Sequence, residues 1–276
     1  TGRARPIEGT VAEILSLLVD ARASRPQLSL MALDLPTGLN ADTGGSDPLC
    51  PAADVTVTLG FPKVGLYAFP GAAQVGRLEV VDIGIPASLA EDVPQELITS
   101  DWVRDALPKR PLDSHKGTFG RVLVVAGSVN YIGAAYLACQ GAARVGAGLV
   151  TLAIPGSLQP ILAAKLTEAS YLLLPEEEGA LSPEASDIIL SELPGYQALL
   201  VGCGLGQGSD VARLLRQTLL TARYPGVPMV LDADALNIMS SVPEWWLGLR
   251  GEAVVTPHPG EMSRLTGKTT REINAA

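Results

Sequence analysis

Four stretches of the chain set reactive side chains beside turn-forming residues, with a fifth at a shorter motif. The first is Ala32–Gly44, ALDLPTGLNADTG, in which Asp34 closes an apolar run and Pro36-Thr37-Gly38 forces a turn. A carboxylate at the end of a buried strand can act as a general base if its surroundings raise its pKa. The turn leaves the Thr37 hydroxyl and nearby carbonyls free for a hard cation or a ligand. The plainer reading is that Asp34 caps the turn while Asn40, Asp42 and Gly44 shape a loop, because Asx residues build turns by local hydrogen bonds. The second stretch is His115–Gly133, HKGTFGRVLVVAGSVNYIG. Lys116 beside Gly117 can reach a phosphate, although a solvated loop is the default. The small residues after Gly133 open a helix whose free N–H groups favour anions, or they simply pack that helix closely on a sheet. Neither G-x-G-x-x-G nor G-x-x-x-x-G-K-[ST] occurs, so no dinucleotide fingerprint or P-loop is read.

The third stretch, Val201–Gly208 (VGCGLGQG), has alternating glycines that expose backbone amides. Such loops also end strands for steric reasons alone. Asp232, Asp234 and Asn237 follow another apolar run, where they can hold ligand hydroxyls or water around a metal ion, or cap a helix. The last motif is Thr256-Pro-His-Pro-Gly-Glu261 with Arg264 beyond it. His258 between two prolines is conformationally fixed, and a helix from Gly260 offers its positive end to an anion. The alternative there is a Glu261 cap with Arg264 paired to it on the surface.

The elements that must carry these residues alternate between strands and helices. Thr10 and Glu13 have capping-box spacing, and Val11, Ile14, Leu15 and Leu18 form one helical stripe. Strands are expected at Leu28–Leu35, Asp54–Leu59 and Leu78–Ile83, and a linker at Glu91–Ser100. Beyond it, strands are expected at Arg121–Ala126, Leu149–Ile154, Ala198–Gly202, Val227–Asp232 and Ala253–Thr256, with helices at Gly133–Val145, Ser182–Glu192 and Asp210–Ala222. Near-continuous apolar strands separated by helices imply a parallel sheet covered on both faces. The reading is therefore α/β with two domains, residues 1–95 and 96–276.

The composition agrees and excludes several classes. Of the 276 residues, 47% are hydrophobic and 18% charged, which rules out a disordered chain. The net charge of −9 argues against nucleic acid as the main partner. Three scattered cysteines and two histidines give no disulfide framework and no zinc site, and they suit a reducing, cytoplasmic setting. No apolar run reaches the ~18 residues of a membrane span. The opening TGRARPIEG has neither an initiator Met nor a signal core, so the chain is expected to begin inside a gene product.

In their order along the chain, these segments resemble the bifunctional NAD(P)H-hydrate repair enzymes. TGRARPIEG and ALDLPTGLNADTG are similar to two segments in the back half of the family's epimerase module. HKGTFGRVLVVAGS, GAAYLACQGAARVGAGLVT, VGCGLG, LDADALN and TPHPGE are similar, in sequence and order, to its ADP-dependent dehydratase. The resemblance implies a partial Rossmann-like epimerase domain followed by a partial ribokinase-like domain. It implies Asp34 as catalytic, Thr1, Gly2, Arg5 and Asp34 as substrate contacts, and Thr37 as a potassium ligand. In the dehydratase it implies that Ala134, Gly204 and the run His258, Pro259, Gly260, Glu261, Met262, Ser263 and Arg264 hold the hydrate. NAD(P)H hydrates and ADP are the implied small-molecule partners, with K+ and Mg2+ as cofactors, a homo-oligomeric assembly, and no nucleic acid or membrane. The family's N-N-G-G-D-G, K-G-x-x-T and G-T-G-D segments do not occur in this sequence, so both sites are expected to be incomplete. Two other readings stand beside this one: a ribokinase-like vitamin or sugar kinase, and a non-catalytic nucleotide-binding module.

Overall fold

The computed structural model describes residues Pro6–Asn274, which fall into two compact units, Thr1–Pro108 and Lys109–Ala276. In the first unit the apolar stripe forms helix α1, Gly9–Ser24, with Leu15 buried. The helix starts at Gly9 after Glu8, whose side chain makes no cap bond. The expected Thr10–Glu13 capping box does not form, because Thr10 already lies inside the helix. Strands β1 (Met31–Leu33), β2 (Val55–Leu59) and β3 (Arg77–Val81) form a parallel sheet in that order. Strand β1 is shorter than expected for two reasons. The Asp54 carboxylate takes the Leu30 N–H at 2.7 Å, and Asp34 turns to a φ of 67°, which ends the ladder. Thr56 and Thr58 of β2 are fully buried, beside a small cluster of Leu39, Cys50, Leu66 and Val75. Alternation puts Met31 and Leu33 on one face, where they are 67% and 70% exposed. Among the described residues that face is open, contrary to the expectation of cover on both sides. Helix α2, Ser100–Ala106, follows an irregular stretch and is capped by Thr99, which accepts from the Trp102 N–H.

The second unit holds a six-stranded parallel sheet. Its strands in chain order are β4 (Arg121–Val125), β5 (Leu149–Pro155), β6 (Ser170–Leu174), β9 (Ala198–Val201), β10 (Met229–Leu231) and β11 (Ala253–Val255). A two-residue hairpin, β7 (Glu176–Glu177) with β8 (Ala180–Leu181), interrupts the sequence after β6. The helices are α3 (Ile132–Val145), α4 (Gln159–Ala163), α5 (Ala185–Glu192), α6 (Ser209–Leu219), α7 (Asp234–Met239), α8 (Pro259–Thr266) and α9 (Thr270–Asn274).

Alternating side chains of one strand feed two separate cores. Leu123 and Val125 of β4 join Ile189, Leu214 and Leu236 from α5, α6 and α7, whereas Val124 joins Ala135 and Cys139 of α3 and Leu162 of α4. This sheet is covered on both faces. Each fully buried leucine, such as Leu214, contributes roughly 1.5–3 kcal/mol relative to exposure.

The strand order is β11-β10-β9-β4-β5-β6. From β4 the chain winds outward through β5 and β6, then returns to build β9, β10 and β11 on the other side. The order therefore reverses between β4 and β9. In open parallel sheets, ligands bind at such a switch point, beyond the carboxyl ends of the strands.

Candidate functional site

Each unit presents its own cavity. In the first, Asp34 leaves the end of β1, and the register Leu33↔Val57 sets it beside the last residues of β2. Its Oδ1 accepts from Lys63 Nζ at 2.7 Å, the Leu59 N–H at 3.2 Å and the Thr58 hydroxyl at 3.3 Å. The Lys63 hydrogen bond, helped by the Leu59 amide and the lysine's charge, holds the Asp34 carboxyl below its ordinary pKa against the opposing effect of burial. Asp34 is thus an ionised acceptor, not a base with a raised pKa. Asp34, Pro36, Thr37, Gly38, Lys63 and Glu8 line a cavity of about 700 Å³. The structure brings Asp34 and Thr37 to one cavity wall, whereas Thr1, Gly2 and Arg5 lie outside the described residues. Asn40 shapes the following loop, its Oδ1 accepting from the Asp42 and Thr43 N–H groups. Sequence reading missed Lys63. The available signal was F-P-K after a strand, but only the strand register pairs it with Asp34.

In the second unit, the loops after β4 and β9 meet at the switch point. Ser128 is buried and its hydroxyl donates to the Gly204 carbonyl at 2.9 Å. Gly204 has a φ of 69°, and a Cβ there would lie 2.7 Å from the Cβ atoms of both Ala134 and Tyr131. Ala134 and Gly204 therefore touch, closed by helix α3 on one side and the glycine loop on the other. A cavity of about 620 Å³ opens next to them, walled by Ser128, Tyr131, Glu177, Gly206, Gln207 and Asp234.

The two acids of LDADALN hold this loop. Asp234 accepts from the Gly206 N–H and the Gln207 side-chain amide, both at 2.8 Å. Asp232 accepts from the Thr256 hydroxyl at 2.8 Å and the Cys203 thiol at 3.4 Å, joining three neighbouring strand ends. Burial, then the charge of Asp232, pushes the Cys203 thiol up to about 12, and burial does the same for Cys139. Cys50, in the first unit, is also raised by burial. Raised pKa values keep these thiols protonated at neutral pH, and the two buried ones, Cys50 and Cys139, are also shielded from reagents.

His258 lies two strands from Gly204 on the same carboxyl edge, as the N-cap of α8. Its Nδ1 accepts from the Gly260 N–H at 3.0 Å, and Glu261 Oε2 accepts from the His258 N–H at 3.0 Å, completing a capping box. Nδ1 is an acceptor here, so the ring carries its proton on Nε2, 3.3 Å from Glu261 Oε1. The Glu261 side chain is only 6% exposed, that of His258 63%. Pro259 begins the helix, Met262 is exposed and Ser263 donates to the Lys268 carbonyl. Arg264 pairs not with Glu261 but with Asn237 Oδ1, at 2.8 Å. His258 through Arg264 thus share the edge of the glycine loop but do not line the cavity beside it. His115 and Lys116 sit in an exposed turn before the start of β4, at the opposite, amino edge of the sheet. Among the described residues no group of three His, Cys, Asp or Glu is arranged to hold a metal ion, and no helix is long and apolar enough to cross a membrane.

Comparison with known proteins gives these cavities a context. Residues 122–275 match the family described as NAD(P)H-hydrate dehydratase, and residues 1–65 match the YjeF-related protein N-terminus. The bifunctional NAD(P)H-hydrate repair enzyme Nnr of Moorella thermoacetica is 45% identical over 246 residues, covering 88% of this chain and 46% of that protein. The enzyme of the same name from Thermofilum pendens is 35% identical over 277 residues, covering 100% and 51%. The chain spans about half the length of these curated relatives. Among solved structures, a ribokinase-like superfamily protein from Enterococcus faecalis is 24% identical with a TM-score of 0.51, covering 63% of this chain and 57% of that one. A hypothetical protein from Streptococcus mutans is 28% identical with a TM-score of 0.54, covering 64% and 60%. The first likeness carries the fold alone, a ribokinase-like α/β arrangement. With its dehydratase match extending over more than half its length, the chain belongs to the NAD(P)H-hydrate dehydratase family.

Proposed function

We propose that the chain carries parts of two sites that repair hydrated NADH and NADPH. Residues 1–95 contribute to an epimerase that interconverts the R and S hydrates, and residues 96–276 to an ADP-dependent dehydratase acting on the S form. The observation that carries the first half is the ionised, fixed Asp34 carboxylate facing an open cavity. It serves as an acceptor for a polar hydrogen of the hydrate and as its substrate-contacting acid. Thr1, Gly2 and Arg5 complete the contact on the resemblance alone.

Potassium fits beside this site. The Thr37 hydroxyl and the carbonyls of its turn offer hard, neutral oxygen donors, which suit a monovalent cation and not zinc or copper. Thr37 lines the same cavity as Asp34, so a cation held there would add positive charge near the bound hydrate.

The second half rests on the switch-point loops. Ala134 and Gly204 pack against each other beside the cavity, and the His258–Arg264 segment presents a helix N-terminus on the same edge. In this reading the S-hydrate hydroxyl takes a phosphoryl group from ADP, yielding AMP, and loss of phosphate restores the dihydronicotinamide. Phosphate leaves far more readily than hydroxide, and positioning with anion stabilisation supplies most of such catalysis. Magnesium would accompany the nucleotide, since it binds through phosphates and one or two carboxylates. Three free cysteines suit a reducing compartment such as the cytoplasm, and a homo-oligomer is the expected assembly.

The test is Asp34→Asn in a polypeptide spanning the full length of the relatives. Asparagine tolerates the positive φ and keeps an oxygen acceptor for Lys63, so the variant is expected to fold. R/S interconversion is expected to be lost while ADP-dependent recovery of the dihydronicotinamide from the S-hydrate persists. Normal interconversion would remove Asp34 from the mechanism, and loss of both activities with folding intact would refute two separate sites.

A further inference from the structure

This inference rests on the epimerase reading of the first unit. We propose that Lys63 is the positioning residue of that site, fixing the Asp34 carboxylate through one oxygen so that the other faces the substrate.

A lysine ammonium has three N–H donors. Three acceptors surround Lys63 Nζ: Asp34 Oδ1 at 2.7 Å, Thr58 Oγ1 at 2.8 Å and the Leu59 carbonyl at 2.8 Å. Its donors are fully engaged, so the lysine does not reach a ligand without giving one up. Thr58, fully buried, accepts from Lys63 and donates to Asp34, closing a three-membered network. The Leu59 N–H adds a fourth tie, again to Oδ1. Every described hydrogen bond to the Asp34 side chain falls on Oδ1, and among the described residues none reaches Oδ2.

The backbone points the same way. Asp34 is held at a φ of 67°, a conformation that a non-glycine residue keeps only where its surroundings over-determine it. Here the Asp34 N–H donates to the Val57 carbonyl at 2.7 Å while the side chain is pinned from β2. The charged groups lining the cavity around the carboxylate are Lys63, from the loop after β2, and Glu8, from the segment before α1. Lys63 is the one in contact. Without it the shortest tie to Oδ1 is lost, and only the longer Thr58 and Leu59 bonds remain to direct Oδ2.

The experiment compares Lys63→Met and Lys63→Arg in a polypeptide spanning the full length of the relatives. R/S interconversion is followed across pH, with ADP-dependent dehydration as the internal control. Lys63→Met is expected to lower kcat for interconversion by about 100-fold, the usual scale for a misplaced reacting group. KM should stay within about twofold, since uniform binding is not what is lost. The acid limb of the profile should move to higher pH, Lys63→Arg should restore most of the rate, and dehydration should not change. The proposal is overturned if Lys63→Met keeps kcat within about threefold of the parent with an unmoved acid limb. It is also overturned if both variants lose activity equally without a shift of that limb, which is the signature of packing alone. If the parent does not interconvert the hydrates, the epimerase reading fails separately. NMR titration of the Asp34 carboxyl in this chain then decides the positioning: a rise in Lys63→Met supports it, and no change refutes it.

Discussion

At the residue scale, one steric constraint in the second unit falls on Gly204, where conformation and space both exclude a side chain. Its φ of 69° disfavours any L-residue, and an added Cβ would stand 2.7 Å from Ala134 and Tyr131, whose backbone and helix cannot easily retreat. Gly204→Ala is therefore expected to cost about 3 kcal/mol, combining left-handed strain with overpacking. A urea titration should report that loss together with reduced dehydration in the longer polypeptide. A wild-type midpoint would mean that the two loops stand further apart than described. Asp34 shows the same principle in a polar setting. Its functional state is set less by its own type than by a lysine 29 positions away in sequence. No local pattern announces that pairing. Asp34 at a strand end was legible, and Lys63 was not, because the pairing exists only once β1 and β2 lie in register.

At the element scale, α8 depends on its first turn. His258 and Glu261 satisfy each other's backbone donors, and the buried Glu261 side chain has little water to replace a lost partner. His258→Ala should destabilise the second unit by about 1 kcal/mol, the usual cost of removing an N-cap acceptor. If the residue also contacts the substrate, the variant should weaken hydrate binding more than ADP binding in the longer polypeptide. Equal loss of both would assign His258 to the helix alone. The Glu261 cap could be read from spacing, but histidine as the reciprocal partner could not, since it is not among the usual capping residues.

The same contrast runs through the sheets. Long apolar runs announced all of the expected strands, although their ends shifted. Edge strand β6 went unseen, and so did the β7–β8 hairpin, which is two residues a side with Glu178 and Gly179 both at positive φ where an Asn-Gly pair would have been the signal. In the first unit, Asp54 ties three segments, accepting from Leu30 and pairing with Arg22 of α1. The Leu30 amide bond, aided by the Arg22 charge, lowers its pKa. A depressed folded pKa means that its contribution is complete above the ordinary carboxylate value and is lost as pH falls toward the folded value. Urea midpoints of the first unit should therefore decline in acid, and Asp54→Asn should flatten that decline. An equally steep decline in the variant would move the effect elsewhere.

At the scale of the whole molecule, two units of different build share one chain. The first has a small apolar cluster and an open sheet face, while the second has two cores on either side of six strands. Family membership was legible because strand-end motifs survive in order, whereas the geometry joining them was not, since it depends on a strand order that reverses between β4 and β9. The cysteines turn this difference in build into something that can be timed. Cys50 belongs to the first unit, Cys139 and Cys203 to the second; Cys50 and Cys139 are buried, Cys203 is half-buried, and burial raises the pKa of each. Burial keeps such a thiol protonated at neutral pH, so a disulfide reagent must wait for the structure to open. Each unit thus carries its own clock. In dilute denaturant, mass spectrometry should record modification of Cys50 before that of Cys139, the buried thiol of the second unit. Simultaneous labelling of these two would show that the units open together.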